Sequence, residues 1–274
     1  MSAEAENGQL AALAPLTPRE SRPGTTVVVG AAQGIGAVVA QRLAAEPWSE
    51  RVVLADLDGD GVGGVAAQLR AAGHEVDSLR VDVTDAAAVD ALVERSREAT
   101  RVAIVAGMFF PTPALDVTRD EFRQIVDVNL HGAYFVAQAY AKEMAAGDGG
   151  AIVCVSSIAG RMPRMRQVAY CASKAGISHA LRVLGMEAAH DGVRVNTVSP
   201  GLTDTPMMRT VAGDHAAVQQ MADGTLEGFR PRIPDRRVAT PTDVADAIAF
   251  LLSPESDHIT LQDLVVDGGE LLGR

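Results

Sequence analysis

Short apolar runs rich in β-branched residues alternate along this chain with stretches whose apolar residues recur at helical spacing. "TTVVVG" (25–30), "RVVLAD" (51–56), "EVDSLRVDV" (75–83), "RVAIVAG" (101–107), "GAIVCVSS" (150–157), "VRVNTVSPG" (193–201) and "LQDLVVDGG" (261–269) read as strands. Between them, 35–46, 61–73, 86–98, 119–146, 168–190 and 241–252 carry the period of an amphipathic helix. Strands that alternate with helices of ten or more residues form a parallel sheet covered on both faces. "VAIVA" and "AIVCV" are apolar throughout, as doubly buried strands are. The expected fold is α/β: a single doubly wound Rossmann domain over 24–274 with roughly seven parallel strands. Residues 203–238, rich in proline and arginine, break the alternation. They read as an insertion after the sixth strand, where open sheets carry ligand-contacting loops.

Composition narrows the classes. Hydrophobic residues make up 47% and charged residues 22%, an ordinary globular balance. The net charge of -11, without a basic run, argues against nucleic acid as a partner. No apolar run is long enough to span a membrane. Glu4 and Glu6 stand where a signal peptide would be basic, and Pro15 and Pro18 break its apolar part, so a cytoplasmic location is expected. Residues 1–23 read as a disordered tail. Cys154 and Cys171 lack a metal-ligand spacing and are expected to be thiols; no metal site is expected.

Gly30, Gly34 and Gly36 mark the turn from the first strand into the first helix. Glycine there lets the backbone approach a pyrophosphate, and the helix start offers free N–H groups. The same spacing also suits a plain tight turn, and the strand–turn–helix context favours the dinucleotide. Asp56 ends the second strand, 20 residues after Gly36. Its carboxylate either accepts from the adenosine ribose hydroxyls, repelling a 2′-phosphate, or caps the next turn. With no basic residue in "GAAQGIG" or seen near Asp56, NAD is favoured over NADP. Asp82 stands either beside an adenine or as a helix cap.

Tyr170 and Lys174 in "YCASK" lie four residues apart and share a helix face. Ordinary helix packing also accounts for that pair taken by itself. An ammonium about 4 Å from a phenolate is worth roughly 4 kcal/mol at an effective dielectric of about 20, enough to bring a phenol towards neutrality. Together with the glycine turn, Asn129 in "DVNLHG" and Ser157, 13 residues before Tyr170, these residues resemble the short-chain dehydrogenase/reductase family over about 24–270. The resemblance implies a catalytic tetrad of Asn129, Ser157, Tyr170 and Lys174. Ser157 would hold the substrate oxygen, Tyr170 would take its proton, and Asn129 would bend the long helix and hold a water joining Lys174 to solvent. It also implies that Gln33, Ile35, Leu57, Val83, Ala106, Gly107, Pro200, Gly201, Thr203 and Thr205, with Tyr170 and Lys174, meet the cofactor. A homotetramer is implied too, with the long helices and last strand at interfaces. Two positions depart from the family: Val29 replaces a threonine and Val105 an asparagine, so the two loops behind the cofactor are expected to be joined by packing.

The segments 199–210, 232–253 and 258–269, with "MPRM" at 162–165, resemble a subgroup, the 2,3-dihydro-2,3-dihydroxybenzoate dehydrogenases of catecholate siderophore biosynthesis. That resemblance implies oxidation of a cyclohexadiene carboxylate at its C3 hydroxyl, followed by tautomerisation to a phenol. The amine analogue, 2,3-dihydro-3-hydroxyanthranilate, is the alternative. A ketoreductase and a non-catalytic NAD sensor are further readings, and the intact tetrad counts against the second. A substrate carboxylate suits an arginine fork. Arg164 leads because it lies between Ser157 and the Tyr170 helix; Arg161, Arg166, Arg209 and Arg230 are also candidates, and each is equally readable as a surface charge. Met165, Met207 and Met208 either line an apolar ring pocket or pack in the core. His131, Met108, Phe109 and Phe110 stand near the expected site.

Overall fold

Val27 and Val29 point to one side of their strand and Val28 to the other, and all three are buried. That is the mark of a strand covered on both faces. The computed structural model describes residues 23–273; the expected tail, apart from residue 23, lies outside the described residues. Seven strands form one parallel sheet: β1 (Gly24–Val29), β2 (Ser49–Asp56), β3 (Glu75–Arg80), β4 (Ala99–Ile104), β5 (Gly150–Val155), β6 (Val193–Pro200) and β7 (Asp263–Val266). The seven parallel strands are those the alternating pattern predicts, and their order is β3-β2-β1-β4-β5-β6-β7. The order reverses between β1 and β4, and ligands of open α/β sheets lie at the strand ends beside such a reversal.

One face of the sheet packs on α1 (Gly34–Ala44), α2 (Gly59–Ala71) and α9 (Pro241–Leu252) through residues such as Leu43, Leu69 and Ile248. The other packs on α3 (Ala86–Arg95), α5 (Ala133–Ala146) and α6 (Val168–Ala188) through Leu92, Tyr140 and Leu181. No described helix is long and apolar enough to cross a membrane.

The single helix expected over 119–146 is instead α4 (Arg119–Val126), a wide π turn at Asp127–Gly132, and α5. The turn has local causes. Asn129 turns inward to bond the loop after β4, and Gly132 abuts Val83, where a Cβ would stand 2.7 Å from a Val83 methyl. β7 is shorter than expected because Leu261 takes a left-handed backbone (φ 63°) just before it. The insertion after β6 forms α7 (Pro206–Ala212) and α8 (His215–Gln220) over a small core of Leu202, Val218, Ala222, Ile233 and Val238. Cys154 and Cys171 are free thiols.

Candidate active site

A cavity of about 340 Å³ runs along the strand ends. Gly30, Gln33, Gly34, Ile35, Gly36, Asp56, Leu57, Asp82, Val83, Ala106, Gly107, Tyr170, Lys174 and Thr205 line it. Pro200, Gly201 and Thr203, also expected at the cofactor, line a neighbouring cavity of about 150 Å³.

The nucleotide end is shaped by main chain. Gly30 has φ 88°, and a Cβ on it would stand 2.4 Å from the Ala106 nitrogen. A Cβ on Gly36 would stand 1.7 Å from the Gly30 carbonyl oxygen. α1 begins without a side-chain cap and without an acidic residue in its first turn, so its end is electropositive and open. This is the donor set that a pyrophosphate needs. Two corrections concern the surrounding loops. Val29 and Val105 leave the loops joined not by packing alone: the Val105 and Ala106 N–H groups donate to the Val29 carbonyl (2.7 and 3.0 Å). The expectation that no basic residue stands near Asp56 holds only along the chain, because Arg80 is its register partner on β3.

Asp56 caps the turn around it and also lies on the cavity wall. Its Oδ2 accepts from Ala32 N (2.9 Å) and its Oδ1 from Asp58 N (3.0 Å), yet it still borders the cavity. Asp82 also borders it, while Oδ1 accepts from the backbone and hydroxyl of Thr84. These bonds, the hydroxyl's foremost, hold the Asp82 carboxyl below the usual range.

Of the four expected tetrad residues, Tyr170 borders both cavities, Lys174 the first and Ser157 the second, with Asn129 buried near Lys174. Tyr170 and Lys174 project from α6, Ser157 follows β5, and Asn129 sits in the π turn. Asn129 is buried; its Oδ1 accepts from Met108 N (2.8 Å), and its Nδ2 donates to Met108 O (2.9 Å) and Ser173 Oγ (3.2 Å). Lys174 is buried and donates to the Val155 carbonyl (2.8 Å). A Cβ on Gly107 would stand 3.4 Å from both Asn129 Oδ1 and Lys174 Nζ, so glycine leaves the space into which both side chains point. Ser157 Oγ accepts from Ala159 N (3.1 Å) and also hydrogen-bonds with the Tyr170 phenol.

The electrostatics differ from the simple lysine–phenol pairing. Burial pushes the Tyr170 phenol up, the Ser157 bond opposes this, and Cys171 adds to the rise. Burial also pushes the Lys174 ammonium down, opposed by Cys154. Lys174 Nζ stands 5.7 Å from the Tyr170 ring centroid and is tied to a carbonyl. In this geometry burial is the foremost influence on both groups, and it raises the phenol rather than lowering it.

The smaller cavity is lined by Ser157, Tyr170, Phe109, Met207, Met208, Arg164 and Arg230, among others. Phe109 meets the Tyr170 ring edge-on at 5.2 Å. The arginines separate sharply. Arg161 pairs with Asp263, Arg166 donates to the Pro111 carbonyl, and Arg209 pairs with Asp204. Arg164 and Arg230 border the cavity, and both donate to Glu270 Oε1 (2.6 and 3.1 Å). Glu270 is fully buried, and nothing in the sequence singled it out. Burial lowers the Arg230 guanidinium, Glu270 opposes this and Arg164 adds to it. Met165 is exposed and outside the cavity lining. His131 lies in a separate groove between α3 and α5, whereas Met108 borders the larger cavity; Phe110 is exposed.

Known proteins match this architecture. Residues 30–270 match a family described as enoyl-(acyl carrier protein) reductase. The 2,3-dihydro-2,3-dihydroxybenzoate dehydrogenase of Bacillus subtilis (strain 168) is 36% identical over 250 residues, covering 90% of this chain and 95% of its own. That of Escherichia coli (strain K12) is 39% identical over 197 residues, covering 70% and 79%. A solved 7α-hydroxysteroid dehydrogenase complexed with NADH and 7-oxo glycochenodeoxycholic acid superposes with a TM-score of 0.81 at 26% identity, covering 91% and 95%. With this fold, the glycine turn and the four convergent side chains, the chain belongs to the short-chain dehydrogenase/reductase family.

Proposed function

We propose that this chain is an NAD-dependent dehydrogenase that oxidises the C3 hydroxyl of a cyclohexadiene carboxylate to give an aromatic acid. The preferred substrate is 2,3-dihydro-2,3-dihydroxybenzoate. The observation that carries this reading is Arg164 Nη1, a buried donor without a partner, on a side chain that borders the same cavity as Ser157 and Tyr170. A substrate carboxylate supplies the acceptor it lacks, in the charge-assisted geometry arginine favours. Met207 and Phe109 give the ring an apolar wall. The relatives named as dihydroxybenzoate dehydrogenases support the same class.

A bound nicotinamide dinucleotide supplies the acceptor for the hydride lost from C3. The chain does the rest. Ser157 Oγ holds the C3 oxygen, and Tyr170 takes its proton as the base, a role in which the Ser157 bond and the positive charge of a bound oxidised nicotinamide would offset the burial that raises its phenol. Lys174, anchored on the Val155 carbonyl, stands beside Tyr170, and Asn129 fixes the loop around Met108. The C3 ketone tautomerises to a phenol, and aromatisation drives the oxidation. NAD is preferred because the Asp56 carboxylate borders the cavity and repels a 2′-phosphate, while Arg80 is outside the lining. Asp56→Asn is expected to narrow the preference for NAD over NADP by about tenfold, read from kcat/KM with each cofactor.

The amine analogue, 2,3-dihydro-3-hydroxyanthranilate, is the second reading, since the acceptor Glu270 Oε2, unpartnered among the described residues, suits an amine as well as a hydroxyl. Incubating each dihydro acid with NAD and following NADH tests the proposal. Turnover of either acid is expected. Turnover of a simple keto ester with neither acid oxidised would overturn it. A homotetramer is proposed as well, supported by Phe135, Val183 and Met186 exposed on α5 and α6; light scattering reads it directly.

A further inference from the structure

Two buried polar side-chain atoms lack a partner among the described residues: Arg164 Nη1 and Glu270 Oε2. They are the remaining atoms of one ion pair, whose contact is Arg164 Nη2 to Glu270 Oε1 at 2.6 Å. Neither group is a surface accident, since the side chains are 9% and 0% exposed. An unpaired polar atom in a dry site is costly, so a buried donor and a buried acceptor left open within one ion pair need a reason. Glu270 stands directly behind Gly201, which borders the substrate cavity. A Cβ at Gly201 would stand 3.4 Å from Glu270 Oε2 and 2.8 Å from the Asp267 Cβ. Gly201 does not have a left-handed backbone, so glycine there serves space; it is the lining residue next to Oε2, and Glu270 itself is outside the cavity lining.

We infer that Arg164 and Glu270 together read two neighbouring substituents of the substrate ring: Arg164 Nη1 donates to its carboxylate, and Glu270 Oε2 accepts from a hydroxyl or amine on the adjacent carbon. The ligand class is a cyclic carboxylic acid bearing an ortho hydrogen-bond donor. The inference rests on the proposed function and adds a specificity-determining residue to it. Glu270 also holds Arg230 through the same Oε1 atom, at 3.1 Å. Its one negative charge between two guanidinium groups leaves the pocket with a single net positive charge, suited to one carboxylate.

Three small acids test this without turnover: benzoate, salicylate and anthranilate, titrated calorimetrically into the full chain in the presence of NADH. All three carry the carboxylate, and two carry the ortho donor. The wild type is expected to bind anthranilate or salicylate at least about fivefold more tightly than benzoate. Whichever is tighter identifies an amine or a hydroxyl as the better donor. Glu270→Gln keeps an acceptor for the arginines but can turn an N–H towards the ligand. It is expected to remove the ortho preference while benzoate affinity stays within about threefold or rises, as the pocket becomes more positive. A purely structural role would lower all three affinities together, which would overturn the inference. Equal affinities in the wild type would overturn it with no variant needed. Benzoate binding without ortho preference refutes the role of Glu270 alone, whereas failure of all three acids to bind refutes the carboxylate pocket beneath it.

Discussion

The two ends of the cleft are built from different materials. The nucleotide end is main chain: a left-handed Gly30 pressed on Ala106, Gly36 pressed on Gly30, and an uncapped helix start. The substrate end is long charged side chains: Arg164, Arg230 and Glu270, brought together from three distant segments. The contrast extends to the helix packed beside α1. The start of α9 is closed by Thr240 and Asp243 in a reciprocal cap, with Arg237 outside it. The start of α9 is closed from within the chain, and the start of α1, which faces the cleft, is left open. A backbone-built site fixes a common cofactor; a side-chain-built site can be retuned for substrate without disturbing it.

The largest expected effect strikes where the two ends meet. Tyr170→Phe removes the proton acceptor and is expected to lower turnover by about 10²–10⁴-fold while NADH binding, followed by fluorescence, is retained. Next comes the nucleotide end. Gly36→Ala forces a methyl against the Gly30 carbonyl; it is expected to cost about 1–3 kcal/mol of stability and to weaken NADH binding by roughly tenfold or more, in denaturant melts and nucleotide titrations. At the substrate end, Arg164→Ala is expected to raise KM for the dihydro acid by about 10- to 100-fold and to leave a neutral cyclic diol unaffected. A substrate-independent loss would erase the distinction between the ends. The smallest effect falls on the closed helix. The Arg237 side-chain bond, foremost, and the bonds from Thr240 hold the Asp243 carboxyl well below the usual range, against burial. Its stabilisation is therefore present above the unfolded value of about 3.9 and is lost as pH falls through the folded one. Asp243→Asn is expected to cost about 1 kcal/mol near neutrality, a gap that closes in acid thermal melts.

The same contrast explains what could be read from sequence. Gly30, Gly34, Gly36 and Asp56 lie within one strand–helix–strand unit, so spacing places them together. Tyr170 and Lys174 share a helix face, and β5 and α6 bring Ser157 to them. The π turn was invisible to periodicity because its cause is long-range: Asn129 bonds Met108, 21 positions earlier in the chain. Arg164 stood out by lying between Ser157 and Tyr170. Glu270 did not, because a lone acidic residue after the last strand carries no local signal, and its partners are 106 and 40 positions away. Met165 shows the opposite failure: it neighbours Arg164 in sequence but faces solvent. Helical spacing reports the proximity of Tyr170 to Lys174 but not the burial that acts on both.

The central claim is that a ring hydroxyl at C3, held by Ser157 and Tyr170 beside an arginine-bound carboxylate, is oxidised with loss of hydride from that carbon. A single-turnover experiment with a dihydro acid deuterated at C3 tests it most directly. The account predicts that deuterium appears in the reduced dinucleotide, one per aromatic acid formed, with a slower rate than for the unlabelled acid. Deuterium retained in the aromatic acid, or an aromatic product formed without reduced dinucleotide, would contradict it.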